Sequence, residues 1–342
     1  MNVSPRRYSR ASGQIAESPV RARARQLLPW CVSACALAYV FGYKIDWHAI
    51  PDITARANMP LFIAFTVLDK AVFFLVWGLL QAAVIRRFIE PVPIHKVLSV
   101  KGGAELLRLG GNSVADAGFL FGVTQLVRSA GVGKVVAISS IPFIAHFGVL
   151  LMQVTISLPL LEGGLGSNRD VAIAVAIAWL VVGIGILGVR AGYLRRLLLR
   201  VELGAWIDNV RPRELLPYVL WFALFAIFDV FVQGAASRAF GVEIDWLALM
   251  ARIPILYVAL MIPSLGNFGT REIAWANLFA DYGSREALYA FALWTNTVFL
   301  AMHVIIGALF FSRAVRLVRE MRAARRMHET LPRPILHDAI DP

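Results

Sequence analysis

Trp246–Ile262 is an apolar run, Pro263-Ser264-Leu265-Gly266-Asn267-Phe268-Gly269-Thr270-Arg271-Glu272 interrupts it, and Ile273–Phe279 resumes it. A membrane helix would be expected to continue through such a stretch, and this one cannot. Proline, glycine and asparagine break helical backbone, and Arg271 and Glu272 set two charges beside the break. Irregular backbone is tolerated at membrane depth only where protein or a water-filled cavity covers it. Charged side chains at that depth are rare and mark function by default. The stretch therefore decides between a bundle of plain spans and one that contains broken elements.

The rest of the chain sets the frame. Of 342 residues, 58% are hydrophobic, and the mean hydropathy of +0.67 lies well above that of a soluble domain. Six apolar runs, Leu27–Ile45, Leu61–Ile85, Val135–Leu161, Val171–Val189, Leu215–Ala236 and Ala287–Phe311, are long enough to cross a hydrocarbon core of roughly 30 Å. A β-barrel is excluded, because its strands would alternate in polarity rather than run solidly apolar. The expected fold is all-α, a polytopic helical membrane protein with about six full spans plus two broken or re-entrant helical elements.

The net charge of +12 does not indicate nucleic acid, because the arginines flank the spans. They fall at Arg6 to Arg25, Arg86-Arg87, Arg195 to Arg213 and Arg313 to Arg326. This is the positive-inside pattern. It divides the chain into a basic cytoplasmic arm (1–26), a transmembrane domain (27–312) and a basic cytoplasmic tail (313–342), with both termini on the cytoplasmic side of the inner membrane. Parity then places constraints on the remainder. Val97–Arg128 carries Lys101, Glu105, Arg108, Asp116 and Gln125 among six glycines, too polar for one lipid-facing span. If it enters and returns to the cytoplasmic side, the later spans require Trp246–Asp281 to begin and end outside. Two broken elements, one from each face, follow from the charge pattern, an arrangement known from transporters with inverted repeats.

Other motifs carry less. Gly183-Ile184-Gly185-Ile186-Leu187-Gly188 spells a dinucleotide fingerprint but lies inside an apolar span, so helix packing is the expected role, as for Gly118 and Gly122. Cys31 and Cys35 lack the further ligands a zinc site needs, and no metal or other cofactor is expected. His146 and His303 lie in spans and are expected to make helix–helix hydrogen bonds rather than carry protons. Asp69 can pair with Lys70. Asp229, centred in its span, needs a partner such as Gln233 one turn on, or a polar cavity. Phe41–Trp47 echoes Phe240–Trp246, read as two similar interfacial turns. No catalytic constellation is present, so an enzyme is the less favoured reading.

At the break itself, a helix restarting near Ile273 offers free N–H groups and a dipole that favour an anion. Arg271 adds a planar fork suited to phosphate or carboxylate, and Glu272 is expected to orient Arg271 or accept a proton. The candidate substrate-binding residues are Asn267, Gly269, Thr270, Arg271 and Glu272, with Asp229 and, in the first broken segment, Asp116.

Pro263–Glu272, followed by a small and apolar helix, Gly283 and a long final span, resembles the signature of the lysylphosphatidylglycerol synthase transmembrane-region family, also called flippase-like. Its pattern there is roughly Pro-x-x-x-Gly-x-Gly-x-Arg-Glu. The plan agrees from about residue 27 to 320. The synthases add a soluble aminoacyl-transferase domain, whereas this chain ends in a short basic tail, which argues against lysyl transfer. The family's first-half Pro-x-x-x-Gly-Glu break is replaced here by Asn112-Ser113-Val114-Ala115-Asp116-Ala117-Gly118. The resemblance implies a stand-alone member that moves, or helps to handle, lipids or lipid-linked sugars; with Arg271 at the break, the expected function is to translocate, or assist translocation of, a lipid or lipid-linked molecule with an anionic head group. The alternatives are an accessory subunit of a lipid- or glycan-synthesising membrane enzyme, or an embedded enzyme of lipid or glycolipid biosynthesis. The implied partners are membrane lipids and such an enzyme.

Overall fold

The computed structural model describes residues 34–35, 38–39, 42–43, 46–127, 130–161, 169–192, 211–261 and 267–330. The run Leu27–Ile45 falls largely outside them, as do Cys31, residues 1–26, Pro263–Gly266 and residues 331–342. All regular structure among the described residues is helical: α1 (Ala49–Arg56), α2 (Met59–Phe88), α3 (Ile94–Glu105) with a 3-10 turn (Leu106–Gly110), α4 (Asn112–Leu126), α5 (Val132–Ser139), α6 (Ile141–Ser157), α7 (Arg169–Arg190), α8 (Pro212–Ala239), α9 (Trp246–Ala259), α10 (Thr270–Leu278) and α11 (Arg285–Thr330). Five stretches, Met59–Phe88, Val132–Leu160, Arg169–Gly188, Arg213–Ala239 and Arg285–Glu320, are long and apolar enough to cross a membrane. The chain is a multi-pass integral membrane protein, and these five match the last five runs read from its sequence.

Both broken elements are present. Trp246–Ala259 has 14 residues, about 21 Å of helix at 1.5 Å per residue, short of a roughly 30 Å core. Its partner α10 has only nine residues. In the first half, α3 tightens into the 3-10 turn and stops before α4. The two restarts are built alike: the residue before α4 is Gly111 at φ +118°, and the residue before α10 is Gly269 at φ +83°. Only glycine takes such backbone without strain. Asn267, at φ +64°, is the one left-handed residue other than glycine among those described. The breaks also meet: Asn112 Nδ2 donates to Asn267 Oδ1 at 3.3 Å.

Helix α11 is the common support, packing on α1, α2, α3, α4 and α10. Water does not drive helices together in lipid, so close approach of backbones matters. Gly102 and Gly103 of α3 allow it, because a Cβ at either would stand 2.5 Å from Phe310 or Ala314 of α11. Gly118 and Gly122 of α4 press in the same way on Leu107 and Val100. Nine residues cannot hold a helix alone. Helix α10 is fixed instead by Trp275 and Phe279, both fully buried and stacked at 4.4 Å, with Phe291 of α11 edge-on to Trp275 at 4.6 Å.

Helix α7 differs. None of its apolar window is buried, and a Cβ at Gly183 or Gly185 would meet nothing within 4 Å. The packing expected of these glycines is therefore not formed within the described chain. Trp179 Nε1 ties the helix to Thr155 Oγ1 of α6 at 2.9 Å. The heptapeptide echo has a local cause: Asp46 accepts from the N–H of His48, and Asp245 accepts from those of Leu247 and Ala248. Both copies are aspartate turns that start a helix.

Candidate functional site

Arg271 lies in the first turn of α10, 6% exposed, with Cζ 4.9 Å from the centroid of Phe299 on α11. Its Nε is buried and has no hydrogen-bond partner, and Arg271 forms no ion pair within 4.0 Å among the described residues. Lys70 of α2 faces the same ring, Nζ 5.7 Å from its centroid. A buried guanidinium is ordinarily matched by a carboxylate, because an unmatched charge in low dielectric is costly. The cation–π contact offsets only part of that cost.

Glu272, fully buried, does not pair with Arg271 as its position beside it suggested. Its Oε2 accepts from the N–H of Gly269 at 2.6 Å and its Oε1 from Asn296 Nδ2 at 2.8 Å. The carboxylate closes the helix start on itself, a capping arrangement. This also corrects the role expected of Gly269, whose N–H is taken by Glu272 and is not open to an anion. Asn296 further donates to the Asn267 carbonyl at 3.3 Å, and Thr270 Oγ1 to the same oxygen at 3.0 Å. Asn267 and Thr270 thus hold the bend that presents Arg271.

Asp229 sits in a cluster rather than with Gln233 alone. Its Oδ1 accepts from Gln233 Nε2 and its Oδ2 from the Tyr257 hydroxyl, both at 2.9 Å. Asp69 of α2 lies beside it, and Arg271 acts on both carboxyl groups through its charge, with no ion pair to either within 4.0 Å. Asp69 is not paired with Lys70, which turns instead to Glu105.

Glu105, at the end of α3 and 3% exposed, is the hub of the second cluster. Lys70 Nζ stands 3.8 Å from its Oε2, Arg108 Nε 3.3 Å, and His303 Nδ1 donates to the same oxygen at 2.6 Å. The helix–helix bond expected of His303 is formed. Arg108 then reaches Asp116 at 3.5 Å and Asn112 Oδ1 at 2.9 Å, and Asn112 continues to Asn267. Asp116 is thus a partner of Arg108, linked to the second break only through this chain of contacts. Lys101, 4% exposed, lies over Phe119 at 5.4 Å. His146 makes no helix–helix bond: its Nδ1 is unpartnered and its ring packs among Trp77, Phe222 and Tyr257.

An apolar groove of about 670 Å³ opens among α6, α7, α8 and α9, lined by Ile144, Met152, Trp179, Val219, Ile227 and Trp246 among others. No group of three or more potential metal ligands occurs among the described residues.

Sequence reasoning missed Tyr257, Asn296 and Asn112. Asn296 left a signal, standing in Trp294-Thr295-Asn296-Thr297, the polar patch of an otherwise apolar final span. Tyr257 left none, since an aromatic in an apolar run is ordinary. The whole is a multi-pass helical membrane protein whose two broken elements touch at their breaks beside a buried arginine with no ion pair among the described residues. No family model, curated protein or solved structure matches the chain.

Proposed function

We propose that this protein moves, or helps to move, an amphiphile with an anionic head group across the inner membrane, its termini lying on the cytoplasmic side. The observation that carries the reading is Arg271, a buried fork of donors with no ion pair among the described residues, held at a helix restart where the two breaks meet. Phosphate and carboxylate fit that fork in bidentate geometry. Lys70, sharing the Phe299 ring, adds a second cation on the same side chain's perimeter. The groove among α6 to α9 offers apolar volume for a hydrocarbon tail. The likeness of Pro263–Glu272 to the flippase-like family supports the same substrate class.

Head-group selectivity tests this. In vesicles containing the full chain, tail-labelled phosphatidylglycerol is expected to cross at least several times faster than a tail-labelled neutral glycolipid, read by quenching of the outer leaflet. Equal rates, or rates no higher than in protein-free vesicles, would refute it. One observation favours a second reading, an accessory role beside a lipid- or glycan-synthesising enzyme: α7 leaves its Gly183 and Gly185 face open. Co-purification of such an enzyme, with no translocation by the chain alone, would support that reading instead.

A further inference from the structure

We propose that Asp69 and Asp229 form a proton-binding site, and that a proton held there travels with the anionic head group at Arg271. The first half stands on the burial and placement of the two carboxyl groups; the second rests on the reading of Arg271 given above.

Asp69 on α2 and Asp229 on α8 come from helices packed against each other, and are 5% and 2% exposed. Their carboxyl groups lie within interacting reach of each other. Both oxygens of Asp229 already accept, from Gln233 Nε2 and the Tyr257 hydroxyl. Side by side, the two carboxyl groups need one hydrogen between them, held on either. Two ionised carboxylates in contact, away from water, disfavour each other strongly, whereas one shared proton satisfies both. Asp69 Oδ1 is buried with no partner, an open acceptor on the pair.

The surrounding charges make the pair sensitive to what Arg271 holds. Arg271 of α10 faces it, and Tyr257 of α9 bonds to it. Lys70, next to Asp69, is directed to Glu105, and Glu272 is engaged by Gly269 and Asn296. His146 of α6 reaches the pair only through the ring of Tyr257, at 6.0 Å. The positive charge of an empty Arg271 weakens the pair's hold on its shared proton. A phosphate on Arg271 cancels that charge and draws a proton onto the pair; by linkage, the proton strengthens phosphate binding equally. One proton joins a carboxylate oxygen from the water on one side and leaves to the water on the other. The site and cargo together carry less net charge through the low-dielectric interior.

Infrared difference spectroscopy of the full chain in vesicles, between acid and alkaline buffer, tests the site. The wild type is expected to show the C=O stretch of a protonated carboxyl that titrates, and Asp69→Asn and Asp229→Asn are each expected to lose it. Absence of the band in the wild type overturns the proposal without relying on any variant's folding. In a second arm, a pH difference of about one unit should drive about tenfold accumulation of tail-labelled phosphatidylglycerol for one proton carried per lipid. The Asn variants should show no accumulation. A titrating band with lipid movement indifferent to the gradient overturns the coupling. A titrating band with no lipid movement at all upholds the proton site and rejects the head-group reading of Arg271.

Discussion

Replacing Glu105 with alanine should cost about 3–5 kcal/mol of stability, the range for removing one partner from a buried charge cluster. The carboxylate is 3% exposed and is the shared counter-charge of Lys70 on α2, Arg108 in the 3-10 turn and His303 on α11. Its loss strands the buried Lys70 and the ring of His303, leaves the half-buried Arg108 with Asp116 alone as counter-charge, and cuts the link between three elements at once. Glu105→Gln keeps an oxygen that can accept from His303 but carries no charge, so its cost should be smaller. The check is the unfolding midpoint of detergent-solubilised protein, followed by loss of the monodisperse peak on heating. An unchanged midpoint in Glu105→Ala would mean that the cluster does not hold the first break together.

Arg271→Ala should behave in the opposite way. The guanidinium has no ion pair among the described residues, and its Nε has no partner. Removing it deletes no short-range bond of its own, and the midpoint should move far less than in Glu105→Ala. Translocation of an anionic lipid should instead fall on the order of a hundredfold, from loss of a buried charge contact worth roughly 2–5 kcal/mol. Arg271→Lys retains the charge and loses the planar fork, so it should recover only part of the rate. The two substitutions thus separate a residue that holds the fold from one kept at some cost to it, the pattern expected of a functional group. Equal loss of stability in both would assign Arg271 a structural role.

The spans were legible because composition alone defines them. Leu61–Ile85, Val135–Leu161, Val171–Val189, Leu215–Ala236 and Ala287–Phe311 each fall within a stretch able to cross a membrane, with a one-residue overrun at Leu161 and Val189. The broken segments were legible too, since charge and glycine run through Val97–Arg128 and Gly, Asn and charge interrupt apolar sequence at 263–272, though the place of the first break, at 106–112, was not. Partner choice was not. Lys70 was read against its neighbour Asp69, yet it turns to Glu105 on another helix, while Asp69 turns to Asp229. Neighbours i and i+1 point to different sides of a helix, and the face each one meets is set by how that helix is rotated by its packing. The close contact of α2 with α3 is made at Gly78, against Leu98 and Lys101, a pairing that the sequence does not announce. Glu272 was misread for a related reason. Sequence showed it beside Arg271 but did not reveal that Gly269 would leave its N–H directed at the carboxylate.

The most direct measurement is an experimental structure of the full chain in nanodiscs containing phosphatidylglycerol. A lipid phosphate is expected within hydrogen-bonding distance of the Arg271 guanidinium, beside Phe299 and where Asn112 meets Asn267. A guanidinium turned onto Asp69, Asp229 or Glu272, with no head group near it, would contradict the assignment of Arg271 as the anion site.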